Sequence, residues 1–270
     1  MPLYNPADSR PAHIQIADDL REQINSGYLP VGQRLPTQET LSTTWGVARD
    51  TVQAALRVLR HEGRITSRQG RGTFVRTPPP RVRRDSSWKQ EEKDLALEDL
   101  ETRRKTGTAE TAMGVSIHDT AHQSHFTTIE ADSRLAELFE LKNDLRVLQR
   151  EYISTSKETG LRLSWSRSWL PVWRIEGDPK ILDPNEEPWP GGTPHALSTV
   201  GIEVDSHVDV INLHPVSAED QHIWGLEDGV GMFHTSGYIY DTTGSIIVVS
   251  ESLDPGDRTE FVFRTKLERW

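Results

Sequence analysis

The run ARDTVQAALRVLRHEGRITSRQGRGTFV, residues 48–75, constrains this chain more than any other. Val52, Ala55, Leu56 and Leu59 recur at the spacing of one helix face, while Arg49, Gln53, Arg57 and Arg60 fall together on another side. Gly63 stops that helix. A stretch with Arg64, Arg68 and Arg71 follows, broken by Gly70 and Gly72 and closed by the Phe74-Val75 pair. Two glycines let the backbone turn tightly, and the apolar end can pin a hairpin to a core. A helix that leads into a basic, glycine-turned hairpin fits few folds.

The preceding residues narrow the choice. HIQIADDLREQINSG places Ile16, Leu20 and Ile24 at helical spacing and ends at Gly27. LPTQETLSTTWG gives Thr37 as the N-cap of a short helix carrying Leu41 and Trp45, stopped by Gly46. Three short helices and a hairpin describe a winged helix-turn-helix over residues 1–76. Its third helix is expected in the major groove of double-stranded DNA, with Arg49, Thr51 and Gln53 near its leading end. Arginine suits guanine edges and phosphates, and glutamine suits adenine. Arg68 and Arg71 on the hairpin are expected at phosphate or in the minor groove, with Gly70 and Gly72 allowing close backbone approach.

Charge agrees with that division. Residues 1–84 hold 13 Arg, no Lys and 7 acidic residues, a balance of +6; the remaining 18 basic and 34 acidic residues give −16, for the net −10 of the chain. Such asymmetry points the N-terminal part toward a polyanion. The chain has no cysteine, which excludes disulfides, thiolate catalysis and cysteine-based zinc sites. Its longest apolar run, around Ile246 to Val249, is far short of the roughly 20 residues that span a bilayer. With no apolar leader in MPLYNPADSRPAH, the expected setting is the cytoplasm, without membrane attachment.

The segment GQRLPTQETLSTTWGVARDTVQAALRVLRHEGRITSRQGRGTFV resembles the DNA-binding domain of the GntR family of bacterial transcription regulators, from about Pro11 to Val75. The resemblance implies that Arg34, Arg49, Thr51, Gln53, Arg68, Arg71 and Gly72 lie at or beside DNA; Thr37, Gln69 and Gly70 complete the expected contact set. Three residues depart from the family pattern: Glu39 stands where arginine is usual, Ala48 replaces the usual Ser or Thr cap, and Gln53 stands where arginine is common. The operator is therefore expected to differ from the family's usual inverted repeat.

RTPPPRVRRDSSWKQEEKDLALEDLETRRKTGTAE reads as a linker over residues 77–111, opening as an extended proline spacer. Trp88, Leu95, Leu97 and Leu100 allow a marginal helix within it. Residues 112–270 read as a mixed α and β domain. DLRVLQREYISTS and LRLSWSRSWLP are strands joined at KETG, SAEDQHIWGLEDG is a helix capped by Ser217, and GMFHTSGYIYDTTGSIIVVSESL is a strand pair turning at DTTG. This α+β order resembles the UTRA effector domain of the HutC branch of the GntR family, which has a chorismate-lyase-like antiparallel sheet with helices and binds small ligands. The resemblance implies that Arg150 meets an anionic ligand group and that Tyr152 takes the place of a second arginine. Ser164, Ser166 and Ser168 alternate along one strand and Ser250 and Ser252 along another, either toward a pocket or on a polar outer face. Ser164, Ser166, Ser250 and Ser252 join Arg150 and Tyr152 as the expected effector set. The family's late glutamate is Val248 here, and its Tyr-Arg pair is Asp254-Pro255, which argues against an amino-sugar phosphate.

His118, His122 and His125 would share a face on a helix, but no fourth ligand accompanies them, so neither metal nor cofactor is assigned. No phosphate loop, dinucleotide fingerprint or nucleophile elbow occurs. The expected function is a homodimeric repressor on an inverted-repeat operator, released by a small, anionic effector. The alternatives are a lyase-like enzyme, which needs an acid/base pair beside an arginine clamp, and a DNA-binding protein that takes no ligand.

Overall fold

The protein is described by a computed structural model over residues 4–68, 70–79, 81–105, 119–187, 189–265 and 267. The chain divides into two compact units, Met1–Pro79 with Val216–Val230, and Pro80–Pro215 with Gly231–Trp270.

The first unit holds α1 (Ala12–Asn25), α2 (Gln38–Trp45), α3 (Arg49–His61) and a hairpin of β1 (Ile65–Arg68) and β2 (Gly72–Val75), a winged helix-turn-helix. Its core is the expected apolar set: Ile16 and Leu20 of α1, Leu41 and Trp45 of α2, Val52, Leu56 and Leu59 of α3, with Ile65 and Val75 of the wing all buried. Thr37 caps α2, its Oγ1 accepting from the Thr40 N–H at 3.1 Å. Gly46 takes φ 68°, a left-handed turn that suits glycine and separates α2 from α3. Ala48, at the N-cap of α3, makes no side-chain cap hydrogen bond. Residues 216–230 group with this unit: Thr66 Oγ1 donates to Glu227 at 2.7 Å, and a Cβ on Gly229 would fall 2.1 Å from the His61 carbonyl.

The second unit is built on six antiparallel strands: β4 (Thr120–Glu130), β5 (Arg146–Ser156), β6 (Arg162–Pro171), β7 (Val204–His214), β8 (Met232–Asp241) and β9 (Ile246–Pro255). Their order across the sheet is β4-β5-β6-β9-β8-β7. Helices α6 (Ser133–Leu138), α7 (Val172–Ile175) and α8 (Gly192–Ser198) pack on it, and α9 (Ala218–Trp224), grouped with the first unit, lies between β7 and β8 in sequence. Asp132 caps α6, and Ser217 with Asp220 forms a full capping box on α9.

Within the segment expected as a linker, residues 81–105 hold regular structure. Val82–Asp85 forms β3, parallel to β10 (Thr259–Val262) and paired residue for residue with it. Trp88–Leu95 forms α4 and Leu100–Lys105 forms α5, both inside the second unit. Leu97, one of the residues read as allowing a marginal helix, lies past the end of α4 and is 89% exposed. A strand supplied from about 170 residues further on cannot be seen by local periodicity.

Candidate nucleic-acid interface and ligand pocket

On the first unit, Arg49, Gln53 and Arg57 are exposed along α3, Arg60 is half-buried beside them, and Thr51 is half-buried at the leading turn. Arg49 Nη2 lies 2.9 Å from Glu39 Oε1 of α2. An exposed pair of this kind adds little stability, about 0–1 kcal/mol. Its effect is positional: the one acidic departure in α2 holds the first arginine of α3. The wing turns at Gly70, φ 70°, where Arg71 N–H donates to the Arg68 carbonyl at 2.9 Å. Gly72 has φ 110°, and a Cβ there would meet Arg34 Nε at 2.7 Å, so the Arg34 side chain lies against the wing backbone. The Arg68 guanidinium sits 5.3 Å from the centre of the Phe74 ring. Arg34, Arg68 and Arg71 are all exposed, and Thr37 faces solvent while it caps α2. Gln69 lies outside the described residues.

On the second unit, strand register sorts the candidate residues. One row across the sheet reads Phe126, Arg150, Ser168, Ser250, Gly237, Asp209, and the next reads Ser124, Tyr152, Ser166, Ser252, Thr235, Ile211. Alternation therefore puts Arg150, Tyr152, Ser164, Ser166, Ser250 and Ser252 on a single face. That face lines two cavities. One of about 260 Å³ takes in Arg150, Tyr152, Ser166 and Thr193; another of about 390 Å³ takes in all six residues with Ser168, His207 and Asp209.

Arg150 is 5% exposed. Its Nε donates to Ser168 Oγ at 3.2 Å and its Nη2 to Thr193 Oγ1 at 3.4 Å. No carboxylate among the described residues comes within ion-pair range of it. Glu251, the obvious internal partner, points from the opposite face toward Arg167 at 3.7 Å and His234 at 3.9 Å. Tyr152 donates to Glu187 Oε1 at 2.8 Å, and burial pushes its phenol pKa up. Ser252 Oγ donates to Asp254 Oδ2 at 3.0 Å, and Asp254 is paired with Arg84 of β3 at 2.8 Å.

Several pocket residues escape sequence reasoning because they come from α4, the first turn of α8 and the edge strand β7. Glu92 is buried, accepts from the Thr193 backbone N–H, and burial raises its pKa to about 8 against the pull of Arg150 and Lys89. Lys89 pairs with Asp209 at the far end of the Arg150 row, and Lys93 Nζ reaches Glu203 at 2.9 Å. Burial, with Lys89 nearby, lowers the His207 pKa to about 4. Only the Trp88 to Glu92 spacing hinted at one face, and it ends in a carboxylate rather than an apolar group.

Other candidates separate from the pocket. Strand β4 sends His122 and His125 to opposite faces, where they meet Ser154 Oγ and Thr127 Oγ1, each at 3.1 Å. His118 lies outside the described residues, and among those described no three His, Cys, Asp or Glu side chains are grouped to hold a metal. Trp165 and Trp169 lie on the face away from Arg150, donating to Glu151 and Gln149. Arg258 is fully buried, paired with Asp257 at 2.8 Å and donating to the Arg162 carbonyl at 3.2 Å, a structural arrangement. No helix among the described residues is long and apolar enough to cross a membrane.

Comparison with known proteins bears on both units. Residues 13–75 match the family described as bacterial regulatory proteins, gntR family. The chain is 48% identical over 67 residues to the mannosyl-D-glycerate transport/metabolism system repressor MngR of Escherichia coli, and 44% over 70 residues to the HTH-type transcriptional regulator Rv0792c of Mycobacterium tuberculosis. These matches cover 25% and 26% of this chain and only 28% and 26% of the relatives. A solved GntR-family transcriptional regulator shares the fold over 96% of this chain and 99% of its own, with TM-score 0.67 and 24% identity.

Proposed function

Residues 13–75 are a domain of the gntR family of bacterial regulatory proteins, and from that premise we propose that the chain is an effector-responsive transcriptional regulator. It binds double-stranded DNA through α3 and the wing, as a homodimer on an inverted repeat. It acts in the cytoplasm as a repressor and belongs to the HutC branch, with residues 112–270 as the bulk of a UTRA-type effector domain. A twofold protein presents two α3 helices to two half-sites, which is the reason for the dimer. The ligand is small and anionic. MngR, similar to this chain over 67 residues alone, represses a mannosyl-D-glycerate transport/metabolism system, and a carboxylate such as a glycerate carries suits Arg150.

One observation carries the effector assignment: a buried arginine, held among the described residues by two hydroxyls, aimed into a cavity on a polar sheet face. A buried guanidinium short of an anion is costly, and a ligand carboxylate or phosphate satisfies it bidentately. Selection of an operator from random duplexes, followed by gel-shift release with a panel of anionic metabolites, tests the reading. Failure to enrich any sequence removes the DNA assignment; release that ignores Arg150→Lys removes the site.

A lyase-like enzyme is the second reading. Glu92, with its pKa raised to about 8 beside Arg150, is the acid that such chemistry needs. Turnover of an aromatic acid, lost in Glu92→Gln, would decide for it.

A further inference from the structure

Next to Arg150, outside ion-pair range but in the same cavity, lies a second buried ionisable group, Glu92. The Glu92 carboxyl accepts from Thr193 N–H and lies so close to Gly192 that a Cβ there would fall 2.0 Å from Oε1. Thr193 also offers its Oγ1 to Arg150 Nη2, so one residue joins the carboxyl and the guanidinium. Glu92 is 8% exposed and Arg150 5%, so both sit in the same dry recess. A carboxyl group there has the size, shape and hydrogen-bonding pattern of the anionic group of a ligand. Unlike a ligand it is tethered, by α4, to the segment that leads out of residues 1–79.

We propose that Glu92 is a built-in occupant of the effector's anion subsite, and that an anionic effector enters by displacing its carboxyl and so unfastens α4 from the sheet. This rests on the reading of Arg150 as the anion site. What remains to hold α4 after displacement is modest. Lys89 with Asp209 and Lys93 with Glu203 are partly solvated pairs, worth little individually. The helix is eight residues long, too short to persist without packing. Loss of one buried contact is therefore enough to free it. Effector binding is converted into a change in the segment 88–95, with coupling equal to the differential affinity for the fastened and unfastened forms.

Inorganic sulfate is a suitable probe, because its charge is constant over the working pH range. The full chain is titrated with sulfate as wild type, Glu92→Ala, Arg150→Met and the double variant, and amide hydrogen exchange is followed over residues 88–95. Displacement predicts that saturating sulfate speeds exchange in 88–95 of the wild type. It also predicts that Glu92→Ala binds sulfate about tenfold or more tightly, with the gain absent once Arg150→Met is added. Should Glu92→Ala fail to fold, the wild-type exchange measurement decides alone. Displacement is overturned if Arg150→Met abolishes sulfate binding while 88–95 stay equally protected and Glu92→Ala binds no more tightly; the Arg150 assignment then stands. If sulfate binding is absent, or indifferent to Arg150→Met, the Arg150 assignment falls and displacement with it.

Discussion

At position 192 a single methyl group decides whether Glu92 can keep its place. Gly192 has φ 63°, and the Cβ of an alanine would overlap the carboxyl. Gly192→Ala is expected to drive Glu92 out and give effector-independent release from DNA, read in a gel shift without ligand. The buried carboxyl also sets a pH dependence. Its pKa is about 8 in the folded chain against an ordinary 4.5, so the folded state keeps a proton that the unfolded state releases. Its contribution is whole below about 4.5, declines as pH rises through the interval, and falls no further above about 8. Glu92→Gln cannot ionise, so its melting temperature should gain on the wild type between pH 5 and 8 and then hold a constant lead. On the DNA side, Glu39 holds Arg49 by one exposed ion pair. Arg49→Ala should cost about 1–3 kcal/mol on a selected operator and relax base preference, whereas Arg71→Ala is expected to weaken all sequences more evenly. Equal gel-shift curves for both variants and wild type would remove the groove assignment.

Among the elements, α3 begins at an alanine with extended dihedrals, φ −65° and ψ 152°, and no side-chain cap. Ala48→Ser places a hydroxyl where the orphan N–H groups of the first turn can donate, and should stabilise the first unit by about 1 kcal/mol in urea unfolding. Elements of this kind were legible because their signals are local. Periodic Ile16, Leu20, Val52 and Leu59, the Thr37 and Ser217 caps and the Gly46 turn all act within a few residues. Alternation likewise sorted Arg150, Tyr152 and the serines onto one face. The same local reading allowed a helix at α4 but not what it buries, and it missed β3. Helix α4 buries a carboxyl instead of an apolar stripe and is fastened by Asp209, Glu203 and Thr193, all more than a hundred residues away from their partners. The histidine spacing pointed to a helix, but a strand at 120–130 splits His122 from His125. Spacing shows proximity only once the element type is known.

For the whole molecule, residues 81–105 cluster with the sheet and 216–230 with the first unit, and whether the effector domain needs 81–105 is open to test with fragments. A fragment of residues 81–270 should unfold in one cooperative transition, and a fragment of residues 112–270, without β3 and α4, should melt lower and bind a hydrophobic dye. Equal melting of the two would show that the segment 81–105 is not part of the unit. Light scattering on the longer fragment tests the dimer, which a strict monomer at micromolar concentration would relocate to the first unit. The pairing of β3 with β10 also has a meaning in time. Val82–Asp85 leaves the ribosome well before its partner Thr259–Val262, which lies about 175 residues further along the chain. At about 5–20 residues per second the gap is roughly 10–35 s. Through that interval the three helices and the wing are complete, and the strand that secures the start of the second unit does not yet exist. On the function proposed above, a nascent chain could read DNA before it could sense a ligand, and a message broken off before the codon for Thr259 would yield a chain whose second unit is never closed.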